Sequence, residues 1–164
     1  MTSPNAEFHA CALWTFSVEH YQKPGVQGAC LCLQDEHGLD VNVALACLWH
    51  HRCGRRALSE RDIGELLASV APSRARVLSI RTSRREAAAA SHCQALYRAL
   101  KHAELLSENV LQRELGAALE RWPRGSEPDP LASLRSYLAL IPASPPKRVL
   151  RSFLGREATV PPTS

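Results

Sequence analysis

The sequence predicts an all-α, single-domain protein, an irregular helical bundle of about six to eight helices around a buried central helix at about 41–52. Three observations lead there. Apolar residues recur at spacings of three and four through nearly every segment, and there is no alternating strand pattern of useful length and no internal repeat. The apolar residues are Ala and Leu more than Val, Ile or aromatics, a mix that favours helix over sheet. The stretch "VNVALACLWHH" is apolar almost all round from Val43 to Trp49, and such a helix has to be enclosed by others. At 164 residues the chain is long enough for one well-filled core and short for two.

The elements follow in order. Phe8, Cys11, Trp14, Val18 and Tyr21 share one face of a first helix, which Ser3 and Pro4 are placed to start and Pro24 of "KPG" ends. A second helix from near Gly25 to about His37 buries Val26, Ala29, Cys30 and Leu33, and Gly38 stands where a left-handed residue stops a helix. Asp40 is placed to cap the central helix, and Gly54 to end it. "SERD" at 59–62 has the form of a capping box and opens a helix carrying Ile63, Leu66, Leu67 and Val70.

Pro72 and Ser73 then read as punctuation before one long helix from near Arg74 to about Leu105, whose later half carries the stripe Ala89, Cys93, Leu96, Leu100 and Ala103. Ser107 caps a further helix through Leu111, Leu115 and Trp122, or the long helix simply continues. "PRGSEPDP" is a loop, and Asp129 and Pro130 start a helix with Leu131, Leu134, Leu138 and Ile141 on one face. Val149, Leu150, Phe153 and Leu154 make a last amphipathic piece, too short to stand alone, that docks on its own domain or on a partner. The expected division is a helical core at 1–122, a helical extension at 123–158 and a disordered tail at 159–164. On that reading, truncation after Ala143 leaves a folded core.

Charge is unevenly spread within a formal net charge of +4. The first 51 residues are acidic and residues 52–86 hold nine Arg, so the two parts either pair within the fold or leave a basic face for an anionic partner. No apolar run reaches the roughly 20 residues that span a bilayer, and the first residues do not read as an export signal. The six cysteines are therefore expected to be reduced thiols in a cytoplasmic protein. No CxxC occurs. Cys47, His50, His51 and Cys53 lack the usual metal-ligand spacing, and the helix end explains the two histidines as solvent-facing, so no metal and no other cofactor is expected.

The stretch "LQDEHGLDVN" sets Asp35, Glu36 and Asp40 between two apolar segments. Asp40 is explained as a cap; Asp35 lies near the end of an apolar helix and needs a partner. The arginines supply one, because Val77-Arg81-Arg84-Ala88 and Leu78-Thr82-Arg85-Ala89 are helical rows in which apolar positions are interrupted by Arg. At least one arginine must lie beside the core. Asp35, Asp40, Arg81, Arg84 and Arg85 thus form the candidate polar network, with no catalytic residue assigned: no G-x-S-x-G elbow, phosphate-cradling Gly-rich loop or Glu-x-x-His pair occurs.

From Phe16 to Trp49, the sequence "FSVEHYQKPGVQGACLCLQDEHGLDVNVALACLW" resembles the signature of a proteobacterial family of short all-helical proteins with a domain of unknown function. The shared features are Tyr-x-x-Pro-Gly-Val, Leu-Gln-Asp and a Gly-Leu-Asp-Val-Asn segment before an apolar helix. "RVLSIRTSRREA" and "YRALKHAELLSEN" are similar to the family's later blocks, so the resemblance covers about residues 10–115. It implies an all-α, single-domain, cytoplasmic protein. "EAAAASHC" departs from the more Lys- and Leu-rich stretch of the family.

The reading that joins these observations is a protein-interaction or accessory module whose partner is a protein. The alternative is a basic helical protein that binds RNA or DNA through Arg74–Arg85, against which stands the lack of interleaved aromatics for base stacking. A third reading, an enzyme with an acidic and arginine-lined pocket around Asp35 and Asp40, has no supporting motif.

Overall fold

The computed structural model describes residues 11–90 and 92–155 and contains eight helices among them. They are α1 (Ala12–Tyr21), α2 (Val26–Asp35), α3 (Val41–Arg52), α4 (Glu60–Ser69), α5 (Ala71–Ala89), α6 (Gln94–Leu119), α7 (Ala132–Ala139) and α8 (Lys147–Phe153). No strand occurs among the described residues; one isolated bridge pairs Arg55 with Arg124. The expected start at Ser3 and Pro4, the contribution of Phe8 and the tail at 159–164 lie outside the described residues.

The all-round apolar helix is the centre of the bundle. Every residue of α3 from Asn42 to Leu48 is buried, and α1, α2, α6 and α7 pack around it. Its start is held as expected: the Asp40 carboxylate accepts a hydrogen bond from the Asn42 N–H at 3.1 Å. Gly38 turns the chain out of α2 with φ +67°, a left-handed conformation that costs glycine little. Ser59 and Asp62 form the reciprocal capping box of α4. Asp62 also accepts from Arg56 at 2.8 Å and from the Trp122 indole at 2.9 Å, and these bonds hold its carboxyl well below the usual carboxylate range.

Three expectations between Pro72 and Ser107 change. Pro72 sits inside the first turn of α5, where its missing N–H breaks no intrahelical bond, so α5 follows α4 without a loop. The long helix expected to Leu105 instead ends at Ala89, with Ala90 in an extended conformation, and α6 runs unbroken through Ser107. Neither Gly nor Pro marks this break; α5 and α6 pack as an antiparallel pair, and the ion pairs between them are met only when the chain turns back there. Leu96, read as part of an apolar stripe, is exposed as a result.

The C-terminal helices share the main core. Leu134, Tyr137, Val149 and Phe153 belong to the same buried cluster as Leu13, Leu33 and Val43. Helix α8 packs on α2, and α7 on α3 and α4. The joining loop is tied down where Gly125 N–H donates to the Gly54 carbonyl at 3.1 Å, and a Cβ on Gly125 would meet the Arg56 Cβ at 2.8 Å. Phe153 is fully buried, so truncation after Ala143 removes a core side chain rather than an appendage. We expect Phe153→Ala to cost about 3–5 kcal/mol, and truncation after Ala143 to abolish cooperative thermal unfolding, both read by circular dichroism.

Two buried histidines make stability depend on pH. His20 Nε2 meets the Phe153 carbonyl at 2.7 Å, and His50 Nε2 meets the Arg56 carbonyl at 3.0 Å. Each is served by a neutral tautomer with Nε2–H donating, which leaves a buried Nδ1 with no partner. Burial lowers both pKa values below the ordinary 6.5, with the carbonyl bonds opposing it. The unfolded chain therefore takes up these protons at higher pH than the folded one. Their contribution is fully present above 6.5 and is lost as pH falls through the lowered folded values. Urea melts between about pH 7 and pH 5 should show stability falling, with a shallower slope in His20→Gln and His50→Gln.

Candidate functional site

Helix α5 carries its arginines toward two different neighbours. On one side Arg74 Nε donates to the Asp40 carboxylate at 2.9 Å. The same Asp40 caps α3, and its backbone N–H donates to the Tyr137 hydroxyl at 3.0 Å. One residue thus joins the starts of α3 and α5 to α7. Arg85 pairs with Asp35 at the end of α2, where both side chains are about half exposed.

On the other side α5 meets α6. Arg81 is only 8% exposed; its Nε donates to Glu104 at 2.8 Å and its Nη2 to Glu108 at 2.7 Å. Arg84 donates to the second oxygen of Glu104. The polar seam continues inward, where Gln112 Nε2 donates to the Asn42 Oδ1 at 2.8 Å and Glu108 contacts Asn42. Burial alone would raise Glu104, but the hydrogen bonds from Arg84 and Arg81 hold its carboxyl below the ordinary value. Glu108 is pushed up by burial, with Arg81 pulling the other way. Burial would lower Arg81, and Glu104 and Glu108 more than offset it.

The expected network is therefore divided. Asp35 does meet Arg85, but Asp40 bonds Arg74, and Arg81 and Arg84 go to glutamates that the sequence reading left out. Glu104, Glu108 and Gln112 were missed because a helix continuing past Ala90 carries them away from α5; only the turn back brings them alongside. The signal available was their own spacing, which sets all three on one face of α6.

Between the end of α2, the Gly38–Asp40 link and α5 lies a groove of about 400 Å³. Leu39, Ala75, Val77 and Leu78 supply its apolar lining, with Arg74 and Arg85 at its edges. Leu78 is 63% exposed, although it stands on a helix otherwise rich in charge.

Of the helix-end cysteines and histidines, two are core and His51 and Cys53 are half-buried. Cys47 and His50 are buried, contrary to the solvent-facing position expected for His50, because the segment after Gly54 folds back over it and Trp122 packs edge-on at 6.5 Å. Burial pushes the Cys30 and Cys47 thiols up to about 12. The metal-ligating side chains that do converge among the described residues are Cys32, Glu36 and His37, whose ligand atoms lie within 4.8 Å of one another.

The two kinds of ion pair should respond differently to mutation. Arg81→Ala leaves Glu108 uncompensated in a largely buried place and is expected to cost about 3–5 kcal/mol in urea unfolding. Arg85→Ala removes an exposed pair and should cost no more than about 1 kcal/mol.

No curated protein and no solved structure matches the chain. The family described as "Protein of unknown function (DUF2390)" matches residues 12–115, a span that holds α1 to α5, most of α6 and every arginine and carboxylate of the seam. No helix among the described residues is long and apolar enough to cross a membrane. With more than half its length matched, the chain belongs to the DUF2390 family of proteins of unknown function.

Proposed function

We propose that this protein is a cytoplasmic protein-interaction module that receives an amphipathic helix of a partner in the groove along α5. The exposed Leu78 is the observation that carries this reading. A leucine left uncovered beside Leu39, Ala75 and Val77, with ion pairs on either edge, is the arrangement that takes the apolar face of a helix. The Arg74–Asp40 and Arg85–Asp35 pairs offer both signs of charge at the rim, which sets a partner's register more than its affinity. The nucleic-acid reading is weakened by the same pairs: Arg74, Arg81, Arg84 and Arg85 already face carboxylates, so their charge is largely spent within the fold.

Site-specific photo-crosslinking from position 78 of the full chain, in extract of the native cells, identifies what occupies the groove. The identified protein should then bind the purified chain in titration calorimetry. Leu78→Glu should weaken that binding about tenfold or more, with the circular dichroism spectrum unchanged. Unchanged affinity on Leu78→Glu would overturn the groove assignment. Tight, steeply salt-dependent binding of generic RNA or duplex DNA, lost when Arg76 and Arg85 are replaced by Ala, would favour the nucleic-acid reading instead.

A further inference from the structure

The end of α2 brings three different metal-ligating side chains together. Cys32 and Glu36 are four residues apart and lie on one face of the helix; Glu36 is its C-terminal cap residue. His37 follows in the turn that Gly38 closes with φ +67°. One ligand atom from each residue lies within 4.8 Å of the other two. A tetrahedral zinc ion with bonds of ~2.0–2.3 Å holds its ligand atoms about 3.3–3.6 Å apart. Closing that difference takes side-chain rotation, because Cys32 and His37 are half-buried, Glu36 is exposed and the backbone already supplies the convergence.

We propose that Cys32, Glu36 and His37 bind a zinc ion through the thiolate, one carboxylate oxygen and an imidazole nitrogen, with the fourth position left to water or to a donor from a partner. The chemistry favours zinc among the divalent ions. Thiolate and imidazole are soft to borderline donors that discriminate against magnesium and calcium, and a single carboxylate completes a neutral-leaning set. The place favours a cation too, because the C-terminal end of a helix carries partial negative charge and the three side chains gather at the end of α2. The Cys32 thiol and the Glu36 carboxylate already stand within hydrogen-bonding reach of each other. The ion replaces the thiol proton, so binding releases that proton and strengthens as pH rises. The proposal runs against the metal-free expectation drawn from the sequence. It is independent of the groove, whose lining includes none of the three residues.

Cobalt(II) titration of the full, reduced chain tests the site, because a thiolate ligand gives a charge-transfer band and tetrahedral geometry gives intense visible bands. The expected result is one cobalt per chain with both signals, displaced by zinc. Cys32→Ser should abolish the charge-transfer band. Cys32→Ser and His37→Ala should each weaken zinc, measured by competition with a chromogenic chelator, by at least the roughly 10–100-fold that loss of an outer-sphere partner costs elsewhere. Cys53→Ser, at another half-buried cysteine, should change neither. Zinc should also raise the melting temperature of the parent chain and not of Cys32→Ser. Binding without the charge-transfer band, a band that survives Cys32→Ser, or no binding at one ion per chain would each overturn the proposal.

Discussion

A helix without a polar face has to be covered on every side, and α3 imposes that requirement on the rest of the chain. Its residues from Asn42 to Leu48 are buried, and α1, α2, α6 and α7 meet the requirement together. Leaving any one of them off would expose a row of α3 side chains, each worth roughly 1.5–3 kcal/mol of transfer free energy when it is an aliphatic of the size of Val or Leu. This is why residues past the family's matched span still belong to the core. Tyr137 closes α3 from α7, and its hydroxyl meets the backbone of the same Asp40 that caps α3.

Enclosing α3 brings α6 against its polar beginning, with α5 packed on α6, and there the fold accepts charge. Asn42 is buried beside Gln112, and Glu104, Glu108 and Arg81 extend the polar run toward the surface. Desolvating such groups is expensive, and their mutual hydrogen bonds mainly offset that expense rather than adding net stability. What the seam provides is register: Arg81 can satisfy Glu104 and Glu108 together only when α6 lies antiparallel at one offset along α5. The alanine run at 87–90 has no such preference of its own.

The same pairing shapes the outer side of α5. With Arg81 and Arg84 turned to α6, and Arg74 and Arg85 turned to Asp40 and Asp35, Leu78 is left uncovered between charged neighbours. The groove and its exposed leucine are thus a by-product of where the arginines found carboxylates. The Cys32, Glu36 and His37 group has a more local origin, in the four-residue helical repeat and the turn at Gly38, and does not depend on that arrangement.

By itself the sequence determined the helical class, the central place of α3, the caps at Asp40 and Ser59 and the need for an arginine beside the core. Each of these follows from residues within a few positions of one another, through hydrophobic period, side-chain capping or glycine's left-handed freedom. Only the tertiary structure decided that the helix after Ala71 doubles back at Ala90, that Arg81 meets Glu104 and Glu108, that His50 is sealed inside and that Phe153 is a core residue. Those outcomes rest on partners 20 or more residues apart, or on chain folding over a surface, and local periodicity does not encode which of several carboxylates an arginine will reach. Even Asp35 and Arg85, paired as the sequence suggested, stand 50 residues apart in the chain, and the fold rather than any local period brought them within reach of each other.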